Sequence, residues 1–358
     1  MKRTMLLDIL RRAEPALAVR EVENYTHLFF DGKYVYAHDG LVSIRAACPF
    51  PLSGGVLGKQ LISFLTACSA EDYQLKGDES TFKIKVGSAT LKLPMLPASG
   101  NPHNTYPTLV EENKIEVTDA VAAAIKQCGV TMGVDPSMPA LLGITMEVQK
   151  NRVRFYSAVS HAATIATVDT GKHSHTLRGI RVLLPVRFCD LILATKPSAL
   201  YLPSAGFTSD VVEAVYSYTD GTEAVRVQAA TAAGDVDLST IEQVEAQVEW
   251  EGFSTFPNKS NLLGAMERAM VILGGDEGKE SLFRVAEGRL WISTKEADAH
   301  ANDSTKLEGE HTDIEVRTRP TLLKNTLEFA DKIRIFNHSI ALTGPGYKSI
   351  LAVAVANQ

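Results

Sequence analysis

The strongest constraint on what this chain can fold into is the order in which local structure recurs along it: helix, strands, helix, strands, written three times over 358 residues. Residues 4–17 place Leu6, Ile9, Leu10, Ala13 and Leu17 at helical spacing, with Asp8, Arg11 and Arg12 mainly on the other face and Pro15 ending or tilting the last turn. Strands are predicted over 26–30 and 33–38, joined by Asp31-Gly32, a dipeptide suited to a tight hairpin, and over 42–47. A second helix over 57–68 buries Leu57, Leu61, Phe64, Leu65 and Cys68, and strands follow at 81–86 and 89–93. The order restarts with the stripe Val117, Val121, Ala124, Ile125 and Cys128, then strands at 145–149 and 152–158, a helix from Pro185 to Lys196, and strands at 211–218 and 223–229 turning at Asp220-Gly221. A third round has Leu262, Leu263, Met266, Met270 and Leu273 as its stripe, strands at 282–286 and 289–294 across Glu287-Gly288, and a helix over 320–329. A hairpin over 332–336 and 339–343, turning at Asn337-His338, and an apolar run over 350–356 complete it. Segments 109–114 and 237–249 are polar or acidic and read as connectors. The expectation is an α+β chain of three repeated domains, 1–112, 113–240 and 241–358, each with two helices packed on antiparallel sheets.

Composition narrows the class. With 45% apolar and 22% charged residues the chain has enough apolar material for several cores. Cys48, Cys68, Cys128 and Cys189 are scattered without a Cys-x-x-Cys spacing, which reads as reduced, buried thiols and a cytoplasmic location. Lys2 and Arg3 ahead of an apolar run resemble a signal peptide, but Asp8, Arg11 and Arg12 interrupt it and favour an amphipathic helix. No run of about 18 apolar residues occurs, so no membrane-spanning helix is expected.

Chemistry-bearing motifs are weak throughout. Residues 344–349 lack the glycine spacing of a phosphate loop. His173 and His175 have no companion ligands at metal spacing and read as a solvated loop, and Gly-x-Ser-x-Gly is absent. Neither an enzyme, a metal nor a cofactor is expected. Charge says more. On the six predicted helices, Arg11, Arg12, Lys59, Lys126, Arg187, Lys196, Lys259, Arg268 and Lys324 face Asp8, Glu14, Asp119, Asp190, Glu267 and Glu328, a balance of +3 in a chain whose net charge is −6. Strands and loops therefore carry −9, and positive charge concentrates on the elements that repeat. Solvated helix faces explain this equally well on their own. If the helices line one wall, their cations form a basic bore behind an acidic exterior.

Several segments then resemble one family along nearly the whole length. In the first round these are Met5-Leu-Leu-Asp-Ile-Leu, His27-Leu-Phe-Phe-Asp-Gly, and 91–97 with Tyr106-Pro107; in the third they are 283–293, Ile314-Glu-Val through Leu322-Leu to Phe329, and 349–356. Their collinear order is similar to the bacterial-type DNA polymerase III beta subunits, the three-domain DNA sliding clamps, in a divergent or phage-type version. The resemblance implies a half ring that closes as a head-to-tail homodimer around double-stranded DNA and tethers polymerase, with a clamp loader as a further partner. By family position, Tyr106, Ile272 and Leu273 are candidates for the dimer interface. Phe155, Thr164, Ile165, Leu351, Val353 and Val355 are candidates for a partner-peptide cleft. Arg11, Arg12, Lys126, Arg187, Lys196, Arg268, Arg317 and Lys324 are candidates for phosphate contacts without base readout. Two features depart from the family: Ser160-His161-Ala162-Ala163-Thr164 replaces an acidic-Gly-His-Arg turn, and 198–210 looks like an insertion. The alternatives are a repeat-built adaptor that never meets DNA, and an enzyme with a concave site assembled across repeats.

Overall fold

The computed structural model describes residues 2–18, 24–77, 80–102, 106, 109–133, 142–173, 177–202, 211–217, 223–230, 238–297, 299–336 and 338–355. Helices are α1 (Arg3–Ala13), α2 (Gly58–Ala67), α3 (Asp119–Gly129), α4 (Val186–Thr195), α5 (Ser239–Gln247), α6 (Lys259–Ile272) and α7 (Pro320–Leu327). Six of these fall where helices are predicted, α1, α2, α3 and α6 from an apolar stripe and α4 and α7 from the prolines Pro185 and Pro320. Helix α1 buries Leu6, Ile9, Leu10 and Ala13 and gives way to a 3-10 turn over Glu14–Ala16, because Pro15 lacks the N–H a further helical turn requires.

Two eight-stranded antiparallel sheets share one plan. The first runs Ser53–Leu57, His27–Asp31, Tyr34–His38, Val42–Ala47, Glu223–Ala230, Val211–Ser217, Ala199–Tyr201 and Lys114–Glu116. The second runs Arg181–Leu184, Ile144–Val148, Arg152–Val159, Ala162–Asp169, Tyr347–Ala352, Ser339–Gly344, Lys332–Ile335 and Ser254–Thr255. In each, four strands from one stretch of chain join four from a much later stretch through a single long-range antiparallel pairing. Ile44 faces Val227 in the first sheet, and Ala162 faces Leu351 in the second. A five-stranded sheet (Ala299–Lys306, Arg289–Glu296, Ser281–Ala286, Ile314–Thr318, Ala354–Val355) and a three-stranded one (Tyr73–Gly77, Thr81–Val86, Ala89–Pro94) complete the set.

The chain divides into two compact units, each centred on one eight-stranded sheet: residues 1–118, 174–177 and 187–232 form one, and residues 119–173, 178–186 and 233–358 the other. In the first, α1 packs on Val42–Ala47 and on α2. In the second, Leu262 and Met266 of α6 and Leu323 and Leu327 of α7 share a core with Phe283, Leu290, Ile292 and Val316 of the five-stranded sheet and Ile340 and Leu342 of the large one.

Turn chemistry follows the sequence. Asp31 Oδ1 accepts the N–H groups of Lys33 (2.8 Å) and Tyr34 (2.7 Å), and Gly32 takes φ 89°. Glu287 and Gly288 both have positive φ (53° and 70°), as a two-residue hairpin turn demands. Asp220-Gly221 and Asn337 lie outside the described residues, as does His175. His173 is buried, not solvated, with its Nε2 2.5 Å from Thr170 Oγ1. Three further expectations change. The connector predicted over 237–249 contains α5. Within 198–210, Ala199–Tyr201 is a strand paired on both sides, and 203–210 lie outside the described residues. The apolar run at 350–356 is not one strand: Tyr347–Ala352 pairs in the large sheet, and Ala354–Val355 crosses to pair with Ile314–Thr318.

Candidate functional site

A groove of about 640 Å³ opens in the second unit. Its floor is the turn between Arg152–Val159 and Ala162–Asp169 (Ala158 to Ala163) together with Ile350 and Ala352; α5 forms one wall through Thr240, Ile241, Val244 and Gln247, followed by Val248, and Phe336, His338 and Ser339 form the other side. None of these lining residues is an Asp, Glu, Lys or Arg, so the groove offers apolar surface with hydroxyl, amide and imidazole groups. Such a surface fits a short apolar segment.

Helix α5 has little apolar anchorage, since Ile241 is its one buried residue. The face away from the groove is held by charge. Arg154 Nη2 and Lys348 Nζ donate to the two oxygens of Glu245 (2.7 and 2.9 Å), and Arg181 Nη2 donates to Glu242 (3.0 Å). Arg181 Nε also donates to Glu147 Oε1 (2.9 Å), whose other oxygen accepts from Tyr156 (3.0 Å). Lys348 Nζ lies 4.4 Å from the ring centre of Trp250, and the Trp250 indole donates to the Glu245 carbonyl (2.9 Å). Burial by itself raises the Glu245 pKa, but hydrogen bonds from Lys348 and Arg154 outweigh it and hold the carboxyl below its ordinary value. On the groove floor, burial and then the nearby Arg319 charge depress the His161 pKa; Arg319 Nη1 stands 3.3 Å from His161 Nε2. The imidazole is therefore neutral at pH 7.

The candidate cleft residues lie beside this groove and not on its lining. Phe155, Thr164, Ile165 and Leu351 are buried on the strands that form it, with Thr164 Oγ1 3.2 Å from Ser349 Oγ. Alternation along the last strand turns Leu351 into the core with α6 and α7, while Ile350 and Ala352 face the groove. Ile165 packs with Ile241 beneath α5, Val353 is half-buried, and the Val355 side chain lies outside the described residues. Helix α5 was missed because its stretch is dominated by polar and acidic residues. The signal available was Ile241, Val244 and Val248 at helical spacing with Glu242 and Glu245 between them.

Among the candidate phosphate contacts, Arg11 and Arg12 are exposed on α1, Lys126 on α3, and Lys196 just beyond α4. Others are already paired: Arg268 forms two bonds to Asp303 (3.0 and 2.7 Å), Lys324 meets Glu267 (3.0 Å), and Arg187 donates to the Pro15 carbonyl (2.5 Å) and lies 3.5 Å from Asp39. Arg317 sits on the strand Ile314–Thr318 with its side chain on the face opposite Val316, which packs in the core with α6 and α7. Of the candidate interface residues, half-buried Tyr106 stacks within 4.5 Å of the Arg45 guanidinium, Leu273 is buried and Ile272 half-buried, while the neighbouring Val271 is 77% exposed.

Two sheet-on-helix units built on one repeated plan, one of them with a groove lined by no Asp, Glu, Lys or Arg, define a repeat-built α+β protein. More particularly, the fold is that of the DNA polymerase III beta subunits. No known family profile matches the sequence. Structural likeness extends over the full length nonetheless. A putative DNA polymerase III beta subunit from Eubacterium rectale superimposes with TM-score 0.84 at 14% identity, covering 100% of this chain and 98% of that one. The DNA polymerase III subunit beta from Pseudomonas aeruginosa gives 0.82 at 13% identity and 99% coverage of both chains. The Thermotoga maritima beta subunit gives 0.78 at 16% identity, covering 99% of this chain and 98% of that one.

Proposed function

We propose that this chain is a non-enzymatic DNA sliding clamp, a processivity factor whose homodimeric ring encircles double-stranded DNA and tethers a polymerase through the groove beside α5. The observation that carries this reading is the match to beta subunits along the whole of both chains, which leaves no part of this chain outside the likeness. The three-domain division at 1–112, 113–240 and 241–358 belongs to the same proposal, as does a cytoplasmic site of action. Arg11, Arg12, Lys126 and Lys196 supply exposed phosphate contacts, joined by exposed Arg317 and, where their present partners release them, by Arg187, Arg268 and Lys324. Weak, sequence-independent contacts suit a protein that must slide, because residence then comes from topology and not from affinity.

The polymerase supplies a short apolar peptide to the groove, and a loader opens the ring. The test is retention on nicked circular DNA against the same DNA linearised, after loading by a clamp loader in moderate salt. Retention on the circle with loss from the linear form supports the clamp. Equal loss from both overturns it in favour of an adaptor that does not encircle DNA.

A further inference from the structure

The five-stranded sheet has one face in the core and one in water, and the wet face is unusual for so acidic a chain. Phe283, Leu290, Ile292 and Val316 point into the core. Alternation puts Arg284, Arg289, Trp291, Lys295, Lys306 and Arg317 on the opposite face, all exposed. The strand register makes this a cluster. Arg284 lies opposite Trp291, Trp291 opposite Ser304, Arg289 opposite Lys306, and Lys295 opposite His300. Among the described residues, one carboxylate, Glu315, shares the face with five Lys and Arg side chains, in a chain whose net charge is −6. Arg289 and Lys306 are like charges directly across strands and repel, while Arg284 lies opposite Trp291 on one side and Glu315 on the other. Among the described residues, no carboxylate reaches Arg284, Lys295 or Arg317 within salt-bridge distance. Lys306 meets Glu308 at 3.3 Å, and Arg289 is held by Ser304 (2.8 Å) with its guanidinium carbon 5.6 Å from the Trp291 ring centre.

Trp291 selects the ligand. It is 39% exposed, and among the described residues it is the one aromatic side chain in the exposed large hydrophobic set. An acidic peptide uses the cations and leaves the indole idle, and duplex DNA keeps its bases stacked on each other. An unpaired base presents a ring face to the indole while its phosphates meet the flanking cations. The three strand spacings from Ala299–Lys306 to Ile314–Thr318 span roughly 14 Å, and a four-stranded sheet of similar width elsewhere carries two or three stacked bases.

We propose that the solvent face of the five-stranded sheet binds single-stranded nucleic acid, with Trp291 as the stacking platform and Arg284, Lys295 and Arg317 as phosphate contacts. Apart from Arg317, the surface shares no residue with the groove or with the cations of the clamp reading, so it goes beyond that reading.

The experiment measures anisotropy of labelled oligo(dT) of about twenty nucleotides, longer than the usual site for one such surface, with the full-length protein and no loader. Trp291→Ala is expected to weaken binding roughly ten-fold, with Trp291→Phe restoring most of it. Arg284→Ser with Arg317→Ser should reduce the slope of log K against log salt by about 1.4. In a Trp250→Phe background, oligo(dT) should quench the remaining tryptophan emission. The control is Lys83→Ser with Lys92→Ser on the three-stranded sheet, where Lys76, Lys83 and Lys92 form a cross-strand row. If that control weakens binding as much as Trp291→Ala, the signal is diffuse charge and the proposal is overturned. It is overturned equally if a polyglutamate peptide displaces oligo(dT) at lower concentration than unlabelled oligo(dT) does, which would mark an acidic protein as the partner. Retention of the Trp291→Ala protein on nicked circular DNA is expected to be unchanged, so failure here and failure of the clamp reading give different results.

Discussion

Glu245 ties cations from two strands, Arg154 and Lys348, to one helix, and its removal leaves both without their shared acceptor. Arg154 and Glu245 side chains are each only 17% exposed, so the loss is not absorbed by water. Glu245→Ala should cost about 1–3 kcal/mol, read as a lower urea midpoint at unchanged m. The pH dependence follows from the direction of the shift. Because the folded carboxyl titrates below its ordinary value, its contribution is present above about pH 4.3, the unfolded glutamate value, and is lost as pH falls through the lower folded value. The stability gap between wild type and Glu245→Ala should therefore close on acidification through that window. His161 behaves similarly at a higher pH. Its folded pKa is depressed, so the stability of the neutral groove floor is present above about pH 6.5 and declines as pH falls below it. Binding of an apolar peptide should weaken over the same range, and His161→Gln should flatten the profile in a fluorescence titration.

Helix α5 is a groove wall held mainly by charge, with Ile241 as its one buried residue. Val244 lines the groove and is half-buried, so Val244→Arg should leave thermal stability nearly unchanged and reduce affinity for a polymerase-derived apolar peptide at least ten-fold, measured by calorimetry. Equal affinity for both proteins would place the peptide elsewhere. The same helix shows why sequence reading reached some elements and not others. Helices α1, α3 and α6 write their burial into apolar stripes that any period-3.6 count finds. In α5, tertiary ion pairs replace the stripe, and their partners Arg154, Arg181 and Lys348 are distant in sequence. Ala299–Lys306 was invisible for a related reason: as a sheet edge packed beside α6 it buries only Thr305, so AHANDSTK has no hydrophobic alternation to read. The cationic sheet face was legible in principle, since Arg289, Trp291 and Lys295 alternate with Leu290, Ile292 and Thr294. Counting charge over strands and loops together averaged it into an acidic total. Phe155, Thr164, Ile165 and Leu351 lie on strands that border the groove, yet a one-residue difference in facing separates Leu351 in the core from Ile350 on the groove.

For the whole molecule, residence on DNA and affinity for DNA should separate. A ring that closes around duplex DNA through two copies of this chain needs complementary surfaces at its ends, and in water an apolar side chain as exposed as Val271 gains nothing. Its neighbour Ile272 ends α6, where Gly274 and Gly275 turn the chain sharply with φ of 67° and 76°. The proposed interface therefore predicts that Val271→Asp leaves the folded chain intact by circular dichroism and shifts it from dimer to monomer in sedimentation. Retention on nicked circular DNA should fall in step with the dimer fraction. Removing exposed cations instead, as in Arg11→Ser with Arg12→Ser, should weaken direct DNA binding and flatten its salt dependence while leaving the dimer, and hence retention on the circle, largely in place. If both variants lose retention in proportion to DNA affinity, residence is electrostatic and no ring is needed. If only the interface variant does, the molecule holds DNA by enclosing it.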